Sequence, residues 1–258
     1  MKKAVSIMFG ILLLLVFSNS GFSTEDNSWQ KIYQKGEMVV GFCAQYPPFE
    51  SKTRSGEFIG FDVDLGKAVA REMGVTAVFK DGEWQGLIAG MNKGDYDILI
   101  TCMSKSSARK KNANFSDKYF DLNEVIIVRK DEVRINSLED LKDKIVGVQM
   151  TTSSEKAVDD RPGAFKEVKK YNYTTEAFLD LKFKRIDAVV CGYAYAVLQI
   201  KKDPSFKVVG APLHSSEIVM VFPKGADALT DKVNKALADI QKNGTYKKIF
   251  DQWLALDN

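Results

Sequence analysis

The chain has 258 residues, and its 37 Lys and Arg nearly balance its 34 Asp and Glu, so the formal net charge is +3. Positive and negative residues are interspersed, which excludes the basic footprint of a nucleic-acid-binding protein. With 45% hydrophobic residues, the chain can bury the core of one large domain or of two lobes.

Residues 1–23 have the pattern of an export signal. Lys2 and Lys3 precede the apolar run 4–17, and small residues follow it. The run is shorter than the roughly 20 residues of a membrane span, although an uncleaved anchor is the alternative. No Cys follows the run to accept a lipid. We therefore expect a periplasmic protein with a cleaved signal peptide.

Strands and helices alternate along the rest of the chain, which is typical of an α/β fold with mostly parallel sheets. The hydrophobic patterns predict strands at 38–42, 75–79, 96–100, 124–129, 144–148, 167–171, 187–190, 207–209 and 218–222. They predict helices from Asp62 as N-cap to Gly74, at 84–91, from 151–154 onwards, and at 174–183, 226–241 and 245–254. The apolar strands at 124–129 and 218–222 bracket the middle third, so they can carry the chain to a second lobe and back.

The three cysteines, Cys43, Cys102 and Cys191, are too few for a disulfide framework and can form at most one bridge. Each follows an apolar segment, which favours three small buried hydrophobic residues. Their spacings fit no zinc motif, and His214 is the only histidine. We expect no metal and no cofactor.

Arg109 is the first candidate for a functional residue. It follows the predicted strand 96–100 and a small polar stretch that contains Ser104. A guanidinium just beyond a strand end offers a planar fork for a small carboxylate in the crevice of an open α/β sheet. The alternative from this segment alone is a surface arginine in the basic run 109–111.

Several motifs, in this order, resemble the periplasmic amino-acid-binding proteins of ABC importers (solute-binding protein family 3). They lie at 46–50 (YPPFE), 60–65 (GFDVDL), 84–88 (WQGLI), 94–97 (GDYD), 109–117, 138–141 (LEDL), 187–189 (DAV), 222–225 (FPKG) and 243–253. The resemblance implies the two-lobed periplasmic-binding-protein fold (type II), in which two hinge strands join two mostly parallel, helix-flanked sheets. It places lobe 1 at 28–125 and 219–258, lobe 2 at 130–213, and the hinge near 126–129 and 214–218.

The resemblance also implies a ligand site composed of Tyr46, Phe49, Trp84, Cys102, Ser104, Arg109, Gln149, Thr151, Thr152 and Gly192. In it, Arg109 clamps a ligand carboxylate, which Ser104 and the helix start at Thr152 also contact. Tyr46 and Trp84 form aromatic walls. Gln149 reads the ligand side chain, and the Cys102 carbonyl receives the ammonium.

Two departures from the family pattern concern the ammonium. Gly192 stands where relatives place the ammonium-binding acid, and Cys43 replaces an acid after the first strand. Burying an ammonium without a carboxylate is costly. Either Glu217 or Glu83 substitutes, or the ligand is not a standard α-amino acid. A third interpretation is an aromatic cage of Tyr46, Trp84, Tyr193 and Tyr195 around a cation.

The sequence therefore predicts a monomeric, non-enzymatic solute-binding protein that captures a small carboxylate-bearing solute, most simply an amino acid, and presents it to a membrane ABC permease. One alternative is an enzyme on the same scaffold, similar to cyclohexadienyl dehydratase. That alternative lacks support at Gly192-Tyr193-Ala194-Tyr195, where the enzyme carries an acid. The other is a sensor module that docks on a membrane receptor.

Overall fold

The computed structural model describes residues 26–255, so the predicted signal peptide at 1–23 lies outside the described residues. The strands are β1 (Glu37–Phe42), β2 (Gln45–Tyr46), β3 (Glu50–Lys52), β4 (Phe58–Ile59), β5 (Thr76–Asp81), β6 (Ile98–Leu99), β7 (Ala113–Arg129), β8 (Ile145–Gln149), β9 (Glu167–Tyr171), β10 (Ala188–Gly192) and β11 (Phe206–Pro223). The helices are α1 (Ser28–Lys35), α2 (Phe61–Glu72), α3 (Leu87–Lys93), α4 (Ser107–Lys110), α5 (Ser153–Asp159), α6 (Thr174–Lys182), α7 (Tyr193–Lys202), α8 (Asp227–Lys242) and α9 (Thr245–Trp253). Single 3-10 turns occur at Trp84–Gly86 and Glu139–Leu141.

Eight strands form a mixed sheet in the order β5-β1-β6-β11-β7-β10-β8-β9. Strands β5, β1 and β6 are parallel and form the first lobe, and β10, β8 and β9 are parallel and form the second. The long strands β7 and β11 lie between them and are antiparallel to each other. This arrangement confirms the predicted α/β class. A small sheet, β2-β3-β4, lies apart in the first lobe.

Strands β7 and β11 connect the two lobes. Their pairing runs from Pro223 opposite Ala113 to Phe206 opposite Arg129, with a register shift between Val209 and His214. Residues 124–128 of β7 pair with β11 on one side and with β10 on the other. Residues 126–129, predicted near a hinge, are therefore part of the second lobe's ladder. The predicted domain boundaries stay a prediction.

Each lobe has its own apolar core. In the first, the buried residues of α8 (Leu229, Val233, Ala236, Leu237 and Ile240) follow the three- and four-residue spacing of an amphipathic helix and pack against α2. In the second, Ala177 and Leu181 of α6 lie on the sheet beside Ile127 and Val189. At the space between the lobes, Cys102 and Leu122 of the first core lie beside polar side chains from both lobes.

Four expectations about local structure are wrong. Asp62 is not an N-cap, because Gly60 holds that position with a φ of 135° that favours glycine. Asp62 instead lies inside α2, where its carboxylate accepts the Cys102 N–H at 2.5 Å and the Tyr119 hydroxyl at 3.1 Å. The strands predicted at 207–209 and 218–222 are one strand. The strand predicted at 124–129 begins at Ala113, and that predicted at 96–100 is only Ile98–Leu99.

All three cysteines are buried and none is bridged. Burial raises the pKa of each thiol, and that of Cys43 reaches about 12. A neutral, water-excluded thiol behaves as a small hydrophobic side chain, as the sequence indicated. None of the helices between residues 26 and 255 combines the length and apolar character needed to cross a bilayer.

Candidate functional site

A cavity lies between the two lobes, where β1 and β6 end opposite the start of α5. It contains about 550 Å³ of atom-free space, part of which opens to solvent. Residues from both lobes line it: Cys43, Gln45, Tyr46, Glu50, Trp84, Thr101, Cys102, Ser104, Leu122, Glu124, Gln149, Thr152, Ser153, Ser154, Tyr173 and Thr174. A wider opening adjoins it, lined by Arg109, Thr151 and Lys156 among others, and shares Trp84 and Ser104 with it.

Arg109 lies at the mouth of this cavity. Its Nη1 donates to the Ser104 carbonyl at 2.6 Å and to the Ser104 hydroxyl at 3.0 Å, and its Nη2 donates to the carbonyl of Thr151 in the other lobe. Helix α4 holds the residue in place, because the N-cap side chain of Ser106 accepts the Arg109 N–H at 3.3 Å. The guanidinium carbon is also 5.7 Å from the centre of the Trp84 ring.

The charge of Arg109 has no acidic partner among residues 26–255. Burial alone lowers its pKa to about 10, with no carboxylate contributing. A guanidinium has five N–H groups, of which three are engaged here, so the Nε–H and one Nη2–H have no acceptor in the part of the chain that the structure describes. A carboxylate has two oxygens that can accept them, which makes Arg109 suitable for an anionic ligand.

Trp84 also connects the lobes. Its Nε1–H is shared between the Met150 carbonyl at 3.0 Å and the Thr151 hydroxyl at 2.9 Å. Next to it, the Gln85 amide donates to the Asn172 side chain at 2.8 Å. Since these bonds and the Arg109–Thr151 bond join the lobes, the structure shows the cleft closed.

Thr152 and Gln149 are held by the second lobe. Thr152 is the N-cap of α5: its hydroxyl accepts the Glu155 N–H at 3.2 Å and donates to the Gln149 carbonyl at 2.7 Å. The Gln149 amide donates to the Asn172 carbonyl and accepts the Thr174 hydroxyl, each at 2.9 Å. Gln149 is therefore fixed in orientation before any ligand enters.

Tyr46 packs at the base of the cavity. It stacks on Tyr195, with ring centres 4.6 Å apart, and its hydroxyl accepts the Gly192 N–H at 3.1 Å. Phe49 lies behind it, fully buried in the first lobe, and lines neither the cavity nor its opening. A ligand contact for Phe49 is therefore not supported, and Gly192 supports Tyr46 rather than facing the cavity.

A comparison with known proteins shows the family of this chain. The sequence pattern of the bacterial extracellular solute-binding proteins, family 3, matches residues 38–256. The chain belongs to this family. This finding confirms the resemblance drawn from the motifs.

Members of the family with similar sequences have assigned ligands. The ABC transporter arginine-binding protein 1 of Escherichia coli is 34% identical over 84% of this chain and 90% of its own length. The L-cystine-binding protein TcyJ of the same species is 29% identical over 99% of this chain and 96% of its own. The structure of an ancestral arginine-binding protein bound to arginine has a TM-score of 0.81 and 40% identity, over 85% of this chain and 99% of that one.

Three expectations about the solute-binding site do not agree with the geometry. Tyr195 is fully buried behind Tyr46, and Tyr193 lies in a separate surface groove beside Phe250, so the two tyrosines complete no cage with Trp84. Glu217 is exposed and pairs with Lys105 at 3.8 Å, outside the cavity. Glu83 is also exposed and does not line the cavity.

Sequence reasoning missed the acids that do reach the cavity, Glu50 and Glu124, both 1% exposed. Glu50 accepts the Thr101 hydroxyl at 2.9 Å, and its other oxygen and one Asp62 oxygen have no hydrogen-bond partner among the described residues. Burial and the nearby Asp62 raise the pKa of Glu50 well above its usual range, and burial raises the pKa of Asp62 to about 7. The available signal for Glu124 was an acid directly before the apolar run 125–128.

Cys102 and Ser104 form the cavity floor next to these acids. Cys102 has a φ of 45°, which is uncommon for a residue other than glycine, and the bond from its N–H to Asp62 fixes this backbone. Ser104 pairs with Ile218 of β11. The role of the Cys102 carbonyl in ammonium binding stays a prediction.

Proposed function

We propose that this chain captures an amino acid between its lobes, with Arg109 on the α-carboxylate, and delivers it to an ABC importer. The observation that carries the proposal is the partly buried guanidinium at the interlobe cavity, which has hydrogen-bond capacity left over and no acidic partner among the described residues. Ser104 and Thr152 line the same space and add polar contacts. Similar proteins that are named for arginine and cystine support the choice of ligand class.

Capture works through closure of the lobes. The bonds from Trp84, Gln85 and Arg109 to the opposite lobe exist only when the cleft is shut. A ligand that touches both walls binds the closed form more tightly than the open form, so it shifts the population toward closure. We place the bending where β7 and β11 cross between the lobes, near the register shift after Val209.

The test is a thermal-shift screen of the purified protein against the standard L-amino acids and L-cystine, followed by calorimetry. We expect a subset of amino acids to raise the melting temperature. Mass spectrometry of any small molecule that co-purifies with the protein identifies the ligand independently of the screen. If no amino acid raises the melting temperature, the proposal is wrong.

Delivery is tested separately. Labelled amino acid should enter membrane vesicles that carry the permease only when the liganded protein is supplied. Uptake that does not depend on the protein would instead favour the sensor alternative. Incubation with prephenate or arogenate tests the dehydratase alternative, and we expect both compounds to be recovered unchanged. Light scattering during gel filtration tests the predicted monomer.

A further inference from the structure

Glu124 is a carboxylate inside the interlobe cavity that has no cationic partner. Its two oxygens accept the hydroxyls of Ser153 and Ser154, each at 2.5 Å. No Lys or Arg within residues 26–255 forms an ion pair with it. A carboxylate has about four acceptor sites, so the two serines leave Glu124 with capacity for a donor in the cavity that it lines.

Glu124 lies directly opposite Gly192 in the ladder of β7 and β10. A Cβ at position 192 would lie 2.6 Å from the Tyr46 hydroxyl and 2.8 Å from a methyl group of Leu122. Both distances are shorter than real side chains allow, so residue 192 has no room for a carboxylate while Tyr46 and Leu122 stay in place. An acid on the adjacent strand reaches the same end of the cavity without this conflict.

The other acid in the cavity, Glu50, is less suited to bind a cation. It accepts the Thr101 hydroxyl, and burial together with the nearby Asp62 carboxyl group raises the pKa of Glu50 well above its usual range, which favours the uncharged form. Within residues 26–255, the hydrogen-bond partners of Glu124 are the two serine hydroxyls, and no neighbouring acid contributes to its pKa. Burial raises the pKa of Glu124, and the Ser153 and Ser154 bonds act against that rise.

The cavity therefore has a guanidinium at its mouth, that of Arg109, and a carboxyl group without a cationic partner on the wall formed by β7 and α5, that of Glu124. We propose that Glu124 binds the α-ammonium of the captured amino acid and so takes the role that Gly192 cannot fill. This inference rests on the proposed function, because it assumes an amino acid whose carboxylate is on Arg109. It makes the free amino group, as well as the carboxylate, a requirement for binding.

The test compares each amino acid that binds with its 2-hydroxy acid, which keeps the carboxylate and side chain but lacks the ammonium. We expect the wild-type protein to bind the amino acid at least about 30-fold more tightly, as for a buried charge pair with one partner removed. In Glu124→Gln, we expect the amino acid to lose about that factor, and the difference between the two compounds to disappear.

Glu124→Gln is suited to this comparison because the amide can still bond to both serine hydroxyls. Its melting temperature without ligand should therefore equal or exceed that of the wild type. Glu217→Gln is the matched control, since Glu217 is exposed outside the cavity, and it should keep the wild-type preference. A merely structural role for Glu124 would weaken both compounds equally and leave their ratio unchanged.

The outcomes separate the two proposals. If the wild type binds no amino acid, the proposed function fails and this inference fails with it. If the wild type binds amino acids and Glu124→Gln keeps the full preference for them over the hydroxy acids, the function stands and Glu124 is not the ammonium-binding residue.

Discussion

Replacing Arg109 by Met is the most direct test of carboxylate capture. Met keeps much of the side-chain length beside the Trp84 ring but removes the charge and all of the N–H donors. Removing one partner of a buried, hydrogen-bonded charge pair costs about 2–5 kcal/mol. At about 1.4 kcal/mol for each tenfold change, the dissociation constant should rise by a factor between about 30 and several thousand.

The loss can be read as a thermal shift. A ligand present at about 100 times the wild-type dissociation constant stabilises the native state by about 2.7 kcal/mol, and a 100-fold loss of affinity reduces this to about 0.4 kcal/mol. For a chain of this size, roughly 2–4 °C corresponds to each kcal/mol. The wild-type melting temperature should therefore rise by about 5–11 °C with ligand, and that of the variant by only about 1–2 °C.

Lys110→Met is the matched control, because Lys110 is the exposed neighbour of Arg109 on the same helix. It should keep the full ligand-induced shift. Circular dichroism of the unliganded variants checks that both are folded. If Arg109→Met, folded, showed the same ligand-induced shift as the wild type, the guanidinium would not hold the ligand and the reasoning from its spare hydrogen bonds would be refuted.

Three further predictions concern closure, packing and protons. Trp84→Phe keeps an aromatic ring, though a smaller one, and loses the N–H bonds to Met150 and Thr151. Calorimetry should therefore show an affinity about 2- to 12-fold lower, since one such bond contributes about 0.5–1.5 kcal/mol; unchanged affinity would contradict this. Gly192→Ala should lower the free energy of unfolding by about 1–3 kcal/mol, because the new methyl group overpacks the site, and the melting temperature should fall. Gly86→Ala is the control: a Cβ at residue 86 has no atom within 4 Å, so its melting temperature should not fall. The buried acids Glu50 and Asp62 keep protons that the unfolded chain releases above about pH 4, so the free energy of unfolding should fall as the pH rises toward about 7, the pKa of Asp62. In Glu50→Gln, the free energy of unfolding, measured with urea at pH 5, 6 and 7, should fall less with pH than in the wild type. An equal fall would show that the proton on Glu50 does not cause the pH dependence.

The short, local parts of the fold could be predicted from the sequence. The strand at 167–171 has the predicted bounds, and α8 and α9 separate at Asn243-Gly244, where Gly244 has a φ of 83°. These features depend on hydrophobic spacing and on the backbone freedom of one glycine, both of which a sequence displays.

The long strands could not be predicted in full. Residues 113–123 of β7 mix buried and exposed positions irregularly, and they are extended because β11, about a hundred residues later, pairs with them. The pattern of one segment does not contain the partner that fixes it.

The residues of the site also differ in how far the sequence could predict them. Arg109 and Ser104 are close in sequence, and the structure brings them into hydrogen-bond contact, with Thr151 across the cleft. Glu124 escaped notice because an acid before an apolar run usually faces water. Only the hydroxyls of Ser153 and Ser154, some thirty positions away, make its burial tolerable.

The contact of Tyr46 with Gly192 limits how this protein can change. Restoring an acid at residue 192 by one substitution would force it against the phenol ring and Leu122, so an intermediate sequence would be poorly folded before it gained any new affinity. An acid at residue 192 therefore requires a smaller neighbour first, and if Glu124 binds the ammonium as we propose, Glu124 must be kept until then. Attempts to redesign specificity should therefore begin at Tyr46 rather than at the glycine.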